Sequence, residues 1–405
     1  MSMTVHEVLE LPQLYELRLR AGADHVHRLV RWFYVAENEG ISDWIEGGEL
    51  VFITGINQVR DEANLLDLLD QAAAKKVAGI VILTGTDFIR EIPATVLEKA
   101  DAIGLPLIEQ PYHLKLVELT HVIGTRLVQL SQIKKSAEDV MSQLLLGQFP
   151  SLETIQLRAQ QLGLPLLGQH VVAVVRLSNV QEFFQDSGAQ HKTNDLYQKK
   201  QACYEHLESW RKQHEQVFPI VPQGEQFSLV LSLQDQDLNF WFQALSALVS
   251  GLRESESDLK LYVGLSTEVN SAIAFQRGYW EACQAQEIAS DLKTNSGVCL
   301  YNELGVLRLI KAIPNKAVTQ QLMNETLGCL IEPEKKQPYV LVETLDAWLK
   351  ESGNAVQAAA RLGIHRNTMN QRIQKIEALT GQSLGNPNFR LNASVALLIW
   401  QISHD

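Results

Sequence analysis

The stretch that decides the fold of the C-terminal region reads NAVQAAARLGIHRNTMNQRIQKIEAL and spans residues 354–379. Its first part is rich in alanine, and small side chains allow a second helix to cross closely. Asn354 can cap the first helix, and Gly363 supplies a tight turn that needs a positive φ. The pattern predicts a short helix over 355–362 and a second helix over 365–380.

The second predicted helix has two different faces. Met369, Ile373 and Ile376 fall on one side at helical spacing, so that side should pack inwards. The other side carries amides edged by basic residues, which can pair with adenine, pair with guanine or hold phosphate. This form is typical of a helix-turn-helix that docks on DNA; the plainer alternative is a solvated face on an ordinary helical hairpin. The predicted DNA-contacting residues are His365, Arg366, Asn367, Thr368, Asn370, Gln371, Arg372, Gln374 and Lys375.

Charge is distributed unevenly along the chain. The 405 residues carry a net charge of −12, with 46% hydrophobic and 20% charged residues, which indicates an ordinary globular protein of several domains. Between residues 353 and 380, four basic residues stand against one acidic residue, a net charge of +3. So small a charge predicts weak DNA binding by one copy, and we therefore expect a homodimer or a higher homo-oligomer.

Cysteine usage and apolar runs bear on where the protein works. The four cysteines are far apart and form no C-x-x-C pair, which favours a reducing compartment and argues against a zinc site. The first residues lack the basic flank and long apolar run of a signal peptide, and no apolar stretch is long enough to span a bilayer. We therefore expect a cytoplasmic protein with no membrane partner, no metal and no cofactor.

Residues 1–115 alternate short β-like runs with helical ones, which predicts an α/β domain with a largely parallel sheet. Ligands of such sheets bind beyond the carboxyl ends of the strands. Carboxylates at those ends favour an amine, a guanidine or a purine-like compound, whereas the alternative is ordinary turn chemistry. The candidate effector-binding residues are Glu37, Thr54, Gly55, Thr84, Gly85 and Glu109.

One long helix is predicted over residues 116–147. Its apolar residues recur with an alternating spacing of four and three that Lys134 breaks at one position, and two interpretations stay open. The helix either packs on its own domain or acts as a dimerising connector between two chains. The apolar seam consists of Ile123, Leu127, Leu130, Ala137, Met141 and Leu144.

Residues 165–300 mix strands and helices in the order βαββαβ, which predicts a layered α+β domain with antiparallel pairing. A hairpin is expected around residues 223–226, between strands at 217–222 and 227–233. Residues 303–336 read as connecting helices, and everything from residue 339 onward reads as helical.

Two parts of the chain resemble one family of regulators. The run LGIHRNT at 362–368, followed by Arg372 and Ile373, resembles the C-terminal domain of PucR-type regulators, which sugar-diacid regulators also carry. Residues 4–125 resemble the purine-catabolism regulator domain of the same family, through TVHEVL at 4–9, RWFYV at 31–35 and GELV at 48–51. The resemblance implies a DNA-binding transcription regulator whose N-terminal domain senses an effector.

The middle region resembles a degenerate GGDEF-type nucleotide cyclase domain, as in that family. The hairpin reads QGEQF at 223–227, where active cyclases carry GGDEF. Gln223 replaces the first glycine, and Gln226 replaces one of the carboxylates that hold catalytic metal ions against phosphate. The resemblance therefore implies a non-catalytic domain, and we expect that the protein is not an enzyme.

Together these observations predict a multidomain α/β and α+β protein that regulates transcription in response to a ligand, acting on catabolism of a nitrogen-containing metabolite. Two alternatives remain: a cyclase- or phosphodiesterase-like signalling enzyme, and an oligomerisation scaffold that never meets DNA. The expected parts are an α/β effector-sensing domain at 1–130, connecting helices at 131–165, a GGDEF-like α+β domain at 166–302, a helical connector at 303–338 and an all-α helix-turn-helix domain at 339–405.

Overall fold

The computed structural model describes residues 3–56, 58–85, 89–178, 189–255, 260–331 and 337–403. The chain divides into two compact units, residues 1–136 and 137–405. None of the described helices is both long and apolar enough to cross a membrane.

Unit 1 is built on a five-stranded sheet. Its strands are β2 (Arg18–Ala21), β4 (Trp32–Ala36), β5 (Glu49–Ile53), β6 (Gly79–Thr84) and β7 (Leu107–Pro111), while β1 (Met3–Thr4) and β3 (Leu29–Val30) pair separately. The order is β2-β7-β6-β5-β4. Strands β4 to β7 run parallel, and β2 is antiparallel to β7, which confirms the predicted largely parallel sheet.

Helices cover both faces of this sheet. They are α1 (Val5–Leu9), α2 (Glu62–Ala74), α3 (Ala94–Ala102) and the first part of α4 (Leu116–Leu146). Every residue of β6 is buried, because helices α2 and α3 pack on one side while α1 and α4 pack on the other. This double burial explains why the central strands are continuously apolar.

The burial of residues along helix α4 bears on the two interpretations of its apolar seam. Ile123 and Leu127 are buried in the core of unit 1, and Met141 and Leu144 are buried in a core of unit 2. These four residues are thus covered by the chain itself, and Leu130 packs partly buried beside the unit 1 core. Packing within the chain accounts for the spacing at these positions.

The first part of unit 2 is an α+β layer with five strands. They are β8 (His170–Leu177), β9 (Val221–Gln223), β10 (Gln226–Ser232), β11 (Leu261–Leu265) and β12 (Val298–Leu300), in the order β12-β11-β8-β10-β9. All neighbours are antiparallel except β11 and β12. Strand β9 begins at Val221, four residues later than the predicted run 217–222, and ends one residue after it; Pro219, which precedes the strand, cannot donate a ladder hydrogen bond.

Among the described residues, four helices pack on this sheet. They are α5 (Leu152–Gln161), α6 (Ala189–Gln213), α7 (Leu238–Ser255) and α8 (Ala274–Asp291). Helices α6 and α7 pack on one face of the sheet, and α5, α8 and the end of α4 pack on the other.

The C-terminal part of unit 2 is helical, as predicted. It contains α9 (Leu307–Ala312), α10 (Lys316–Leu327), α11 (Val340–Lys350), α12 (Ala355–Arg361), α13 (Arg366–Thr380) and α14 (Pro387–Ser403). These helices share one apolar core, which also takes in Ala285 and Ile288 of α8. Residues 303–331 therefore pack together with the C-terminal helices as well as connecting them to the layer.

Candidate nucleic-acid interface

Helices α12 and α13 are joined by a tight turn, as the sequence predicts. The Asn354 side chain accepts hydrogen bonds from the backbone N–H groups of Val356 and Gln357, at 3.1 and 3.2 Å, and so begins α12. Gly363 has a φ of +63° in the turn, and an added Cβ there would meet nothing within 4 Å. Glycine is needed at this position for its backbone conformation and not for space.

Helix α13 begins at a histidine cap. Nδ1 of His365 accepts a hydrogen bond from the backbone N–H of Asn367 at 3.2 Å, so one ring nitrogen is occupied in starting the helix. The ring is exposed, which leaves its other edge facing solvent.

The two faces of α13 are those predicted from the spacing. Met369 and Ile376 are fully buried against α11 and α12, and Ile373 packs beside them at intermediate exposure. Four amide side chains on the other side are exposed, namely Asn367, Asn370, Gln371 and Gln374, which we call the amide face. His365 and Arg366 are exposed next to it, whereas Thr368, Arg372 and Lys375 are partly buried.

Arg372 has a partner that the sequence did not indicate. Its Nη1 lies 3.4 Å from Oγ1 of Thr344, a fully buried residue of α11 whose hydroxyl donates to the Val340 carbonyl. This contact holds α13 against α11. Among the two predicted arginines, Arg366 is therefore the one whose exposure suits phosphate or base contact, and Arg372 also has a role in packing.

Three further side-chain contacts hold the helices of the C-terminal region together. Arg361 pairs with Glu351 at 2.7 Å. The Arg390 guanidinium lies 4.8 Å from the ring centroid of Trp348, and Glu377 accepts a hydrogen bond from the Leu384 N–H at 2.8 Å. The Glu377 contact ties the loop between α13 and α14 to α13, while the Arg361 and Arg390 contacts tie α12 and α14 to α11.

The candidate effector residues lie at one edge of the unit 1 sheet, because β4 to β7 are parallel neighbours. Thr84 donates to the Glu109 carboxylate at 2.8 Å, and Arg20 pairs with the same carboxylate. Partial burial alone would raise the pKa of Glu109, but these two hydrogen bonds bring it below the usual value. Thr54 is buried and accepts from the Ile56 N–H at 3.3 Å, while Glu37 is exposed.

A buried arginine at this edge was missed by sequence reasoning. Arg60 is only 7% exposed and donates to the carbonyls of Ala36, Asn38 and Glu39, at 3.2, 2.6 and 3.1 Å. Burial lowers its pKa from the ordinary value. With Arg60 and Arg20 present, this edge is less acidic than Glu37 and Glu109 alone suggested.

The degenerate hairpin of the middle layer is formed as predicted. Gly224 turns at a φ of +59°, and Glu225 beside it is exposed. The Gln226 side chain accepts a hydrogen bond from the Tyr279 hydroxyl at 3.4 Å. In the part of the chain that the structure describes, no group of three or more His, Cys, Asp or Glu side chains could hold a metal ion.

Three family models match separate parts of the chain. The Purine catabolism regulatory protein-like family matches residues 7–127, the GGDEF-like domain matches residues 147–288, and the PucR C-terminal helix-turn-helix domain matches residues 341–399.

Two curated relatives come from Bacillus subtilis (strain 168). The proline-responsive transcriptional activator PutR is 20% identical over 292 residues, which is 70% of this chain and 67% of that protein. The purine catabolism regulatory protein is 28% identical over 149 residues, which is 35% of this chain and 28% of that protein. Among solved structures, a regulator of polyketide synthase expression from Bifidobacterium adolescentis matches with a TM-score of 0.31 and 14% identity, over 67% of this chain and 100% of that one.

Proposed function

Because the chain belongs to the PucR-type family of transcription regulators, we propose that it binds double-stranded DNA by placing α13 in the major groove. The observation that carries this proposal is the amide face, four exposed amides on a helix whose opposite side is locked into the core. Asn and Gln can each donate to and accept from one adenine edge, so they read sequence as well as hold position.

Electrostatics support a paired mode of binding. The helix-turn-helix carries few basic residues, and the whole chain is acidic. Non-specific attraction to phosphate is therefore small, and two helix-turn-helix heads are needed for tight binding. Two heads on half-sites about 34 Å apart would meet successive major grooves on one side of the duplex, so the proposed active form is a homodimer or a higher homo-oligomer.

The regulated process is proposed to be catabolism of a nitrogen-containing metabolite. The names of two relatives refer to proline and to purine catabolism, and both compounds are nitrogenous. The effector would bind at the sheet edge of unit 1, near Glu37, Thr54-Gly55, Thr84-Gly85 and Glu109, and shift the population of arrangements in which both heads reach DNA.

We propose that the middle domain has no catalytic role. Gln226 occupies the position of a metal-binding carboxylate and is engaged by Tyr279. A cyclase or phosphodiesterase needs carboxylates to hold metal ions against phosphate. Incubation of the full chain with GTP and magnesium should give no product, and measurable turnover would favour the enzyme alternative.

The DNA-binding proposal is tested by selecting duplexes from a random library with the full chain and then measuring affinity by fluorescence anisotropy. Gln371→Ala removes one amide of the amide face and should weaken binding about tenfold to a hundredfold, as loss of a bidentate base contact does. Gln320→Ala is the matched control, since Gln320 is an exposed glutamine on α10. Equal affinities for both variants and the unmodified chain would contradict the proposal.

A further inference from the structure

A cavity of about 430 Å³ opens in the middle layer of unit 2. It lies at the end of strands β8 and β10 where His170 pairs with Ser232, whereas the degenerate hairpin lies at the other end, where Arg176 pairs with Gln226. Pockets of about 300–1,000 Å³ suit small organic ligands. The cavity is therefore of ligand size and separate from the position of a cyclase site.

His170 gives this cavity a buried hydrogen-bond acceptor. The residue is 2% exposed, and its Nε2 lies 3.0 Å from the Pro165 carbonyl oxygen. Since a carbonyl only accepts, Nε2 carries the hydrogen, and Nδ1 of the neutral ring is left as an acceptor. Nδ1 is buried and has no hydrogen-bond partner among the residues that the structure describes, and burial lowers the pKa of His170, which favours the neutral ring.

His214, which also lines the cavity, has a similar contact. Its Nδ1 lies 2.9 Å from the Trp210 carbonyl oxygen and donates to it; in the tautomer with Nδ1–H, Nε2 can accept a hydrogen bond. The His214 ring packs 4.4 Å from Trp210 and 5.7 Å from Trp241, measured between ring centroids. Each histidine donates one ring N–H to a carbonyl oxygen, and in that tautomer its other ring nitrogen can accept a hydrogen bond from a ligand with N–H donors.

The rest of the lining is aromatic and acidic. Phe218, Phe240 and Trp241 form apolar walls, and Glu215 and Asp235 are exposed carboxylates of the lining. Among the described residues that line the cavity, none is a lysine or an arginine. Aromatic faces and carboxylates both attract a cation, whereas the two carboxylates repel an anion.

We propose that this cavity binds a small organic cation with an apolar body, of the arylalkyl ammonium class. Its ammonium group would donate to the histidine nitrogens and lie near Glu215 and Asp235, while its body packs against the aromatic walls. The site belongs to the middle layer and is distinct from the sheet edge of unit 1. Binding of this cation does not depend on the proposed DNA binding, and its test contains no DNA.

The test is isothermal titration calorimetry of the full chain at neutral pH with three probes of one shape: benzylammonium, benzyl alcohol and benzoate. Benzylammonium should bind with a Kd of about 1 mM or tighter. The alcohol should bind at least about tenfold more weakly, since it lacks the charge, and benzoate should give no heat of binding. No benzylammonium binding, or equal binding of the alcohol, would overturn the proposal.

Charge variants test whether benzylammonium binds in this cavity. Glu215→Gln with Asp235→Asn should weaken benzylammonium binding about tenfold or more. Glu153→Gln with Glu268→Gln makes the same change in net charge at two exposed residues that are not among those lining the cavity, and it should leave the Kd unchanged. Equal weakening by both pairs would mean that only the overall charge of the chain attracts the probe, and would overturn the assignment. Circular dichroism checks that each variant keeps its fold.

Discussion

Met369 and Asn370 are neighbours in sequence and lie in opposite environments on α13. Met369 is 0% exposed in the C-terminal core, whereas Asn370 belongs to the exposed amide face. Replacing each with alanine should therefore give crossed results. Met369→Ala should lower stability, and Asn370→Ala should lower DNA affinity while stability stays nearly the same.

The magnitudes follow from burial. Met369→Ala removes all side-chain atoms beyond Cβ from a site without solvent contact, and such changes cost about 2–5 kcal/mol of the free energy of unfolding. Asn370→Ala changes an exposed side chain and should alter that free energy by no more than about 0.5 kcal/mol. If Asn370 makes a bidentate contact with adenine, its loss costs about 1–3 kcal/mol of binding free energy.

Urea denaturation followed by circular dichroism gives the stability of each variant, and fluorescence anisotropy with a selected duplex gives its DNA affinity. Met369→Leu is the control for the core, because a swap of similar volume should cost less than about 1.5 kcal/mol. Two results would contradict the roles assigned to these residues: Asn370→Ala destabilises the chain as much as Met369→Ala, or Asn370→Ala leaves DNA affinity unchanged. The first result would mean that the helix faces are assigned wrongly.

Three further predictions concern other parts of the chain. Arg60→Met leaves three carbonyls without their buried donor and should cost about 3 kcal/mol of stability in urea denaturation, whereas Arg126→Met on an exposed part of α4 should change little. Gly363→Ala forces a left-handed φ on a residue with a Cβ and should cost about 1 kcal/mol; a stabilising effect would show that the turn is wrongly described. Because burial lowers the pKa of His170 from 6.5, the unfolded chain binds more protons, so stability should fall as pH drops below about 6.5. His170→Gln should reduce that fall by at most about 1.4 kcal/mol per pH unit, and an unchanged pH profile would argue against a neutral buried His170.

Local patterns in the sequence predicted much of the fold. The alternation of β-like and helical runs over residues 1–115 predicted a largely parallel sheet, and β4 to β7 run parallel. The spacing of Met369, Ile373 and Ile376 predicted which face of α13 packs, because helical geometry alone decides that. Asn354 and Gly363 predicted the start of α12 and its turn, since capping and positive φ are local properties of the backbone.

Features that depend on distant segments could not be predicted in this way. The apolar spacing of α4 does not tell whether its partner is the same chain or a second one, and only the packed cores show that it is the same chain. Arg60 stands beside the cap residue Asp61, and nothing in the sequence links it to the carbonyls that follow β4. The cavity in unit 2 draws its lining from three separated segments, between residues 165 and 241.

A hydrogen-exchange footprint shows whether the chain reads duplex DNA with the exposed side of α13. The full chain is compared with and without a selected duplex, and exchange is measured on peptides that cover residues 365–380. We expect slower exchange on these peptides when DNA is bound, and no such change on peptides from the unit 1 sheet. Protection elsewhere in the chain, with exchange across α13 unchanged, would contradict it.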